Sequence, residues 1–171
     1  MKKSILISML LLAFSMAANA QRFALIDMEY ILKNIPAYER ANEQLNQISK
    51  RWQSEVETLS NEAEKLYKNY QSEAVFLSAE QKTKKENEVV EKEKAAGELK
   101  RKYFGPEGEL FKKRESLIKP IQDEIYNAVK NIAETKGYSA IIDRASASSI
   151  IFASPQIDIS NDVLLKLGYS N

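Results

Sequence analysis

Between Leu45 and Leu77 apolar residues recur every three or four positions, through Ile48, Trp52, Val56, Leu59, Ala63, Leu66, Tyr70 and Ala74. Polar and charged residues fill the gaps, so the spacing predicts one long helix with a single apolar face. The stripe stops at Leu77-Ser78-Ala79-Glu80-Gln81, where Ser78 and Gln81 have the spacing of a capping box that opens a new helix. It resumes through Val89, Ala96, Leu99, Tyr103, Leu110, Leu117, Ile121, Ile125, Val129 and Ile132. Two long arms joined by a tight reversal near residues 77–81 make an antiparallel hairpin. Such an object suits holding or spanning another molecule better than surrounding a small reactant with fixed polar groups.

The first arm is expected to start near Pro36 or Ala37, because proline disfavours helix in the residue before it and fits the first helical turn. If it reaches Leu77 at about 1.5 Å per residue, it is roughly 60 Å long. In the second arm Gly97 weakens the helix, and Gly105, Pro106 and Gly108 predict a kink or loosening that marks them as a candidate hinge. Pro120 predicts a second kink inside Ser116 to Ala133, with a break at Lys119 as the alternative.

Flanking the hairpin, Phe23 to Asp27, Tyr138 to Asp143 and Ser149 to Ala153 read as strands, with Arg144 to Ser148 as a turn. Gly137 reads as a left-handed helix stop, and Asp158 to Asp162 as the capped start of a short helix carrying Val163, Leu164 and Leu167. The expected fold is therefore α+β and mainly α, a helical hairpin projecting from a small β-rich body. Residues 21–40 and 120–171 would form the body and 41–119 the hairpin. Phe23, Leu25, Ile141 and Ile151 are the expected body core and subunit interface. Three short strands bury little apolar area, so association of several copies is expected to complete the core and cover strand edges.

The N-terminus adds a compartment. Lys2 and Lys3, the apolar run Ser4 to Met16 and the small residues Ala18-Asn19-Ala20 have the form of an export signal cleaved after Ala20. The run is shorter than the roughly 20 residues that span a bilayer. The chain has no cysteine and no histidine, which removes thiol nucleophiles, the commonest general base and the commonest metal ligand. No enzyme, cofactor or metal site is expected. The formal net charge of +1 becomes −1 without Lys2 and Lys3. From Ala41 to Gln81 there are 4 basic and 7 acidic residues, and from Lys82 to Lys102 there are 8 and 5, so the arms oppose −3 with +3. That complementarity favours pairing of the arms over a nucleic-acid surface.

The ordered set Phe23-Ala24-Leu25-Ile26-Asp27, Lys136-Gly137-Tyr138, Ile141-Ile142-Asp143, Ala153-Ser154-Pro155, Asp158-Ile159-Ser160 and Val163-Leu164, around a charged helical hairpin, resembles the Skp (OmpH-like) periplasmic chaperone family over essentially the whole chain after Ala20. The resemblance implies a homotrimer with a small β-barrel body and three helical tentacles around a cavity. There, unfolded outer-membrane proteins are kept soluble for insertion without ATP, and no Gly-x-x-x-x-Gly-Lys loop is present. Near-neutral charge departs from the basic character of that family, so no lipopolysaccharide or membrane-surface role is carried over. A structural coiled-coil spacer or adaptor with one folded partner is the alternative.

Binding an unfolded client needs apolar area beyond that which pairs the arms. Tyr67, Phe76, Phe104 and Phe111 lie beside the stripe, where they either pack against the other arm or contact a client. They are the candidate client-binding residues. Trp52 lies on the stripe itself and is expected to be core.

Overall fold

The computed structural model describes residues 22–147 and 149–169, so the export signal expected at 1–20 lies outside them. In chain order the elements are β1 (Phe23–Ile26), α1 (Met28–Lys33), α2 (Pro36–Glu73), α3 (Ala79–Phe104), α4 (Glu109–Lys136), β2 (Ala140–Asp143) and α5 (Ser160–Lys166), with 3-10 turns at Ala74–Phe76 and Pro155–Ile157. The chain is mainly helical with a small strand region. It divides into two compact units, one of residues 35–123 and the other of residues up to 34 with those from 124 onward.

In the unit of residues 35–123, Pro36 occupies the first turn of α2, as its fixed φ favours. All ten apolar positions of the first stripe and all ten of the second, whose last three (Ile125, Val129 and Ile132) belong to the other unit, are buried or half-buried. α2 and α3 pack along one another. Between them the 3-10 turn leads to Ser78, whose Oγ accepts from Gln81 N at 3.3 Å while Ser78 N donates to Gln81 Oε1 at 2.9 Å. The predicted reversal is closed by that reciprocal pair.

The opposed charges of the arms meet. Lys92 Nζ lies 2.8 Å from Glu62 Oε2, and Lys85 pairs with Glu73. Tyr103 Oη donates to Glu55 Oε2 at 2.6 Å and Tyr70 to Glu86. Half-exposed pairs contribute about 0–1 kcal/mol each, so their effect is register more than stability.

α3 ends where Gly105 N donates to Arg101 O at 2.9 Å, and α4 starts at Glu109. A Cβ on Gly105 would lie 2.4 Å from Arg101 O, and one on Gly108 2.7 Å from Tyr103 O. Close backbone approach therefore demands glycine at both positions. The predicted loosening is a complete helix break. α4, by contrast, runs without interruption through Pro120, so the alternative break at Lys119 does not occur.

In the other unit β1 and β2 pair in parallel, Phe23 opposite Ala140 through Ile26 opposite Asp143. Leu25 makes a further parallel bridge with Asp158, where Ile159 N donates to Leu25 O at 2.9 Å. Ala24, Leu25 and Ile26 are buried in succession, as expected of a strand covered on both faces. Ile31, Ile125, Ile132, Val163 and Leu164 are buried in the same unit, and α1 packs on α5. Asp27 caps α1 by accepting from Tyr30 N at 2.8 Å, and Asp143 Oδ1 accepts from Met28 N at 3.0 Å. Gly137 has φ +69°, the left-handed stop that its position predicts. At α5 the expected side-chain cap is absent: its N-cap is Ile159, while Asp158 Oδ1 accepts from Ser160 N at 2.9 Å and Ser160 Oγ from Asp27 N at 2.8 Å.

Residues 150–153 correct the third strand, for they have no regular structure, and Ile151 is fully exposed. One edge of β1 is taken by β2 and the other by Asp158, while Asp143 turns the chain after β2 by accepting from Ala145 N at 3.1 Å. Neither edge of β1 is left for the Ile150 to Ala153 segment. The described sheet thus has two parallel strands and does not form a barrel.

Candidate functional site

Three cavities adjoin along the helices of the unit of residues 35–123. The first, of 360 Å³, lies between Val56, Ala63 and Tyr67 of α2 and Ala96 and Gly97 of α3. The second, of 380 Å³, shares Val56, Ser60 and Lys100 with it and ends at Phe104. The third, of 360 Å³, runs from Phe104 past Leu45 to Leu110 and Phe111. Of the α2 positions that line them, 45, 49, 53, 56, 60, 63 and 67 step by three or four and so share one helix face, which 46, 57 and 64 flank. From 45 to 67 that face is about 33 Å long at 1.5 Å per residue. Small residues make the floor: at Gly97 nothing lies within 4 Å of where a Cβ would sit.

Of the four candidate client-binding residues, Tyr67, Phe104 and Phe111 line this groove, with exposures of 47, 37 and 46 %. Phe76 does not. It stands at the reversal between the arms, largely exposed beside Val75. Trp52 is half-buried and stacks on Tyr103 across the arms. Tyr103 in turn meets Phe104 edge to face at 6.3 Å. The hydrogen bond to the Glu55 carboxylate raises the Tyr103 phenol above its usual pKa, since ionisation would place two anions together. Sequence reasoning did not single out the groove's Lys100 and Arg114, and read Gly97 as a weak point of the helix and not as part of a groove. A cluster of cations on both sides of the Gly-Pro break was the available signal.

The body residues separate. Leu25 is buried, Ile141 half-buried, Phe23 half-exposed and Ile151 wholly exposed, so Ile151 is not a core residue of the single chain. A further cavity of 330 Å³ lies between Leu25, Tyr30, Arg144 and Asp158. Its Arg144 is already paired, with Asp27 Oδ2 at 3.1 Å and Asp158 Oδ2 at 3.4 Å, which fits a staple of the unit. No described helix is long and apolar enough to cross a membrane.

Residues 22–167 match the family model for outer membrane protein (OmpH-like). The chaperone protein Skp of Yersinia enterocolitica is 27% identical over 157 residues, covering 91% of each chain. That of Yersinia pestis is 28% identical over 168 residues, covering 96% of this chain and 98% of the relative. A solved structure from Caulobacter crescentus CB15, described as an outer membrane chaperone (OmpH-like), matches with a TM-score of 0.67 over 88% of this chain and 86% of that one. At 11% identity that likeness is one of fold.

Proposed function

The chain belongs to the OmpH-like outer membrane protein family, and on that premise we propose that it is a periplasmic, ATP-independent holdase for unfolded outer-membrane proteins. One observation carries the proposal beyond the family: the groove lined by Tyr67, Phe104 and Phe111. Its length of about 33 Å equals that of about ten residues in extended conformation, the span of one membrane-crossing β-strand. Such a strand presents an apolar face with little else to recognise. A shallow apolar groove with polar rims covers that face without demanding one sequence.

In this reading three copies join through the strand-bearing unit, completing a barrel, and the arms surround the client. Support comes from apolar residues left uncovered in one chain: Ile142, Ile151, Phe152 and half of Phe23. β2 has β1 as its one strand partner among the described residues. Gly105, Pro106 and Gly108 serve as the joint by which an arm adapts to clients of different size. Diluting a denatured outer-membrane porin into buffer tests the function. With the chain starting at Gln21 present without nucleotide, the porin stays soluble; unchanged aggregation contradicts the proposal.

A further inference from the structure

Residues 100–114, across the elbow between α3 and α4, hold Lys100, Arg101, Lys102, Lys112, Lys113 and Arg114 against Glu107 and Glu109, a net of +4. From Gln21 onward the chain sums to −1, so everything outside the elbow carries −5. The near neutrality of the chain hides one basic stretch of sequence. Nearer the reversal two cations of α3 pair with carboxylates of α2, Lys85 with Glu73 and Lys92 with Glu62. Around the Arg114 cavity the α2 residues are the neutral Leu45, Asn46 and Ser49, while the α2 carboxylate of Glu55 accepts from Tyr103. Of the six cations, only Lys112 has an ion pair among the described residues, with Glu109 at 3.4 Å.

Two of the unpaired cations border apolar space. Arg114 lines the cavity of Leu45, Leu110 and Phe111, and Lys100 lines the neighbouring one; the two cavities meet at Phe104. Each is of a size for one large side chain or a few small groups. A carboxylate satisfies the cations and an aromatic group fills the space, so a ligand with both, side by side, uses the whole elbow. Glu57 also borders the Lys100 cavity, its Oε1 held by Gln53 Nε2 at 2.9 Å, and Glu107 and Glu109 lie at the turn. Those three carboxylates, with Glu64 and Glu93 in the other cavity that Lys100 borders, disfavour the continuous charge of a nucleic acid or an anionic lipid surface, but leave room for an isolated carboxylate.

We propose that the α3–α4 elbow is a docking site for unfolded polypeptide segments in which a carboxylate adjoins an aromatic side chain. The proposal rests on the client-binding reading above and adds a rule of selection to it. Clients would be gripped first where acidic and aromatic residues are neighbours, and the rest of the groove would cover apolar sequence without preference.

The test uses the full chain from Gln21 and a fluorescently labelled peptide of about ten residues, the length of one membrane strand, with two Asp-Phe pairs, beside its Asn-Phe twin. The Asp-Phe peptide is expected to bind about tenfold more tightly, with the preference fading as salt rises. In K100Q/R114Q, exposed changes that leave the helices intact by circular dichroism, the two peptides should bind alike. Equal binding of both peptides to the parent overturns the proposal, as does a preference that survives in the variant. Tighter binding of anionic phospholipid vesicles or of single-stranded oligothymidine than of the Asp-Phe peptide also overturns it. Porin protection by the parent is measured in parallel: protection without peptide preference rejects the elbow rule alone, and loss of protection rejects the holdase reading.

Discussion

Trp52 of α2 and Tyr103 of α3 stack with ring centroids 4.6 Å apart and planes 5° from parallel. They join the arms at the edge of the groove, because Tyr103 also meets Phe104 and donates to Glu55. Stacked pairs contribute about 0.5–1.5 kcal/mol beyond their area. A double-mutant cycle with W52L and Y103L, read by denaturant unfolding, should give a coupling in that range. A coupling near zero would mean that the stack does not hold the arms.

The glycines of the second arm should respond oppositely to alanine. At Gly97 a Cβ meets open space, so G97A should stabilise α3 by up to about 1 kcal/mol. At Gly108 the added Cβ would meet Tyr103 O at 2.7 Å and Lys102 O at 2.9 Å, so G108A should destabilise by about 1–3 kcal/mol. Thermal melts of the two variants check both signs. G97A also fills the floor of the groove, so client affinity should fall while stability rises.

Asp143 gives the strand-bearing unit a defined acid sensitivity. Burial pushes its carboxyl up, but hydrogen bonds from Met28 N, Ser146 and Ala145 N outweigh this and hold it below the usual carboxylate value. A folded pKa below the unfolded value of about 3.9 means that the stabilisation is present above that pH and is lost as pH falls through the folded value. D143N should therefore be less stable than the parent at neutral pH, with the gap closing below about pH 4. A gap independent of pH in urea denaturation would assign the loss to packing.

Ile151 and Phe152 are 100 and 85 % exposed in the single chain. If three chains meet through this unit, I151D should lower the mass found by light scattering from about three chains toward one at micromolar concentration, with the helices of the arms retained. An unchanged mass places the contact elsewhere.

Much of this was legible from periodicity. A helical stripe fixes which face is buried, so all twenty apolar positions read from it are covered, and Ser78 with Gln81 specifies the reversal locally. The same rule put Tyr67, Phe104 and Phe111 beside the stripe but left open whether they pack against the other arm or face a client, and did not reveal that they line one groove. That depends on which α2 position faces which α3 position, a matter of interhelical register. The elbow's charge was obscured because a count ending at Lys102 divides the cations on either side of Gly105-Pro106. The missing third strand has another cause. Ser149 to Ala153 has the composition of a strand, but both edges of β1 are occupied, and after the turn at Asp143 the described chain does not return along β2.

The central claim, that the groove between the arms contacts the client, is tested most directly by site-specific photocrosslinking. A photoreactive residue placed in turn at Tyr67, Phe104 and Phe111 is compared with one at Val90, which is 58 % exposed on α3 but lines none of the three cavities. With denatured porin diluted onto each variant, the three groove positions should crosslink to the porin well above Val90. Crosslinking at Val90 equal to or greater than that at all three groove positions would contradict the account.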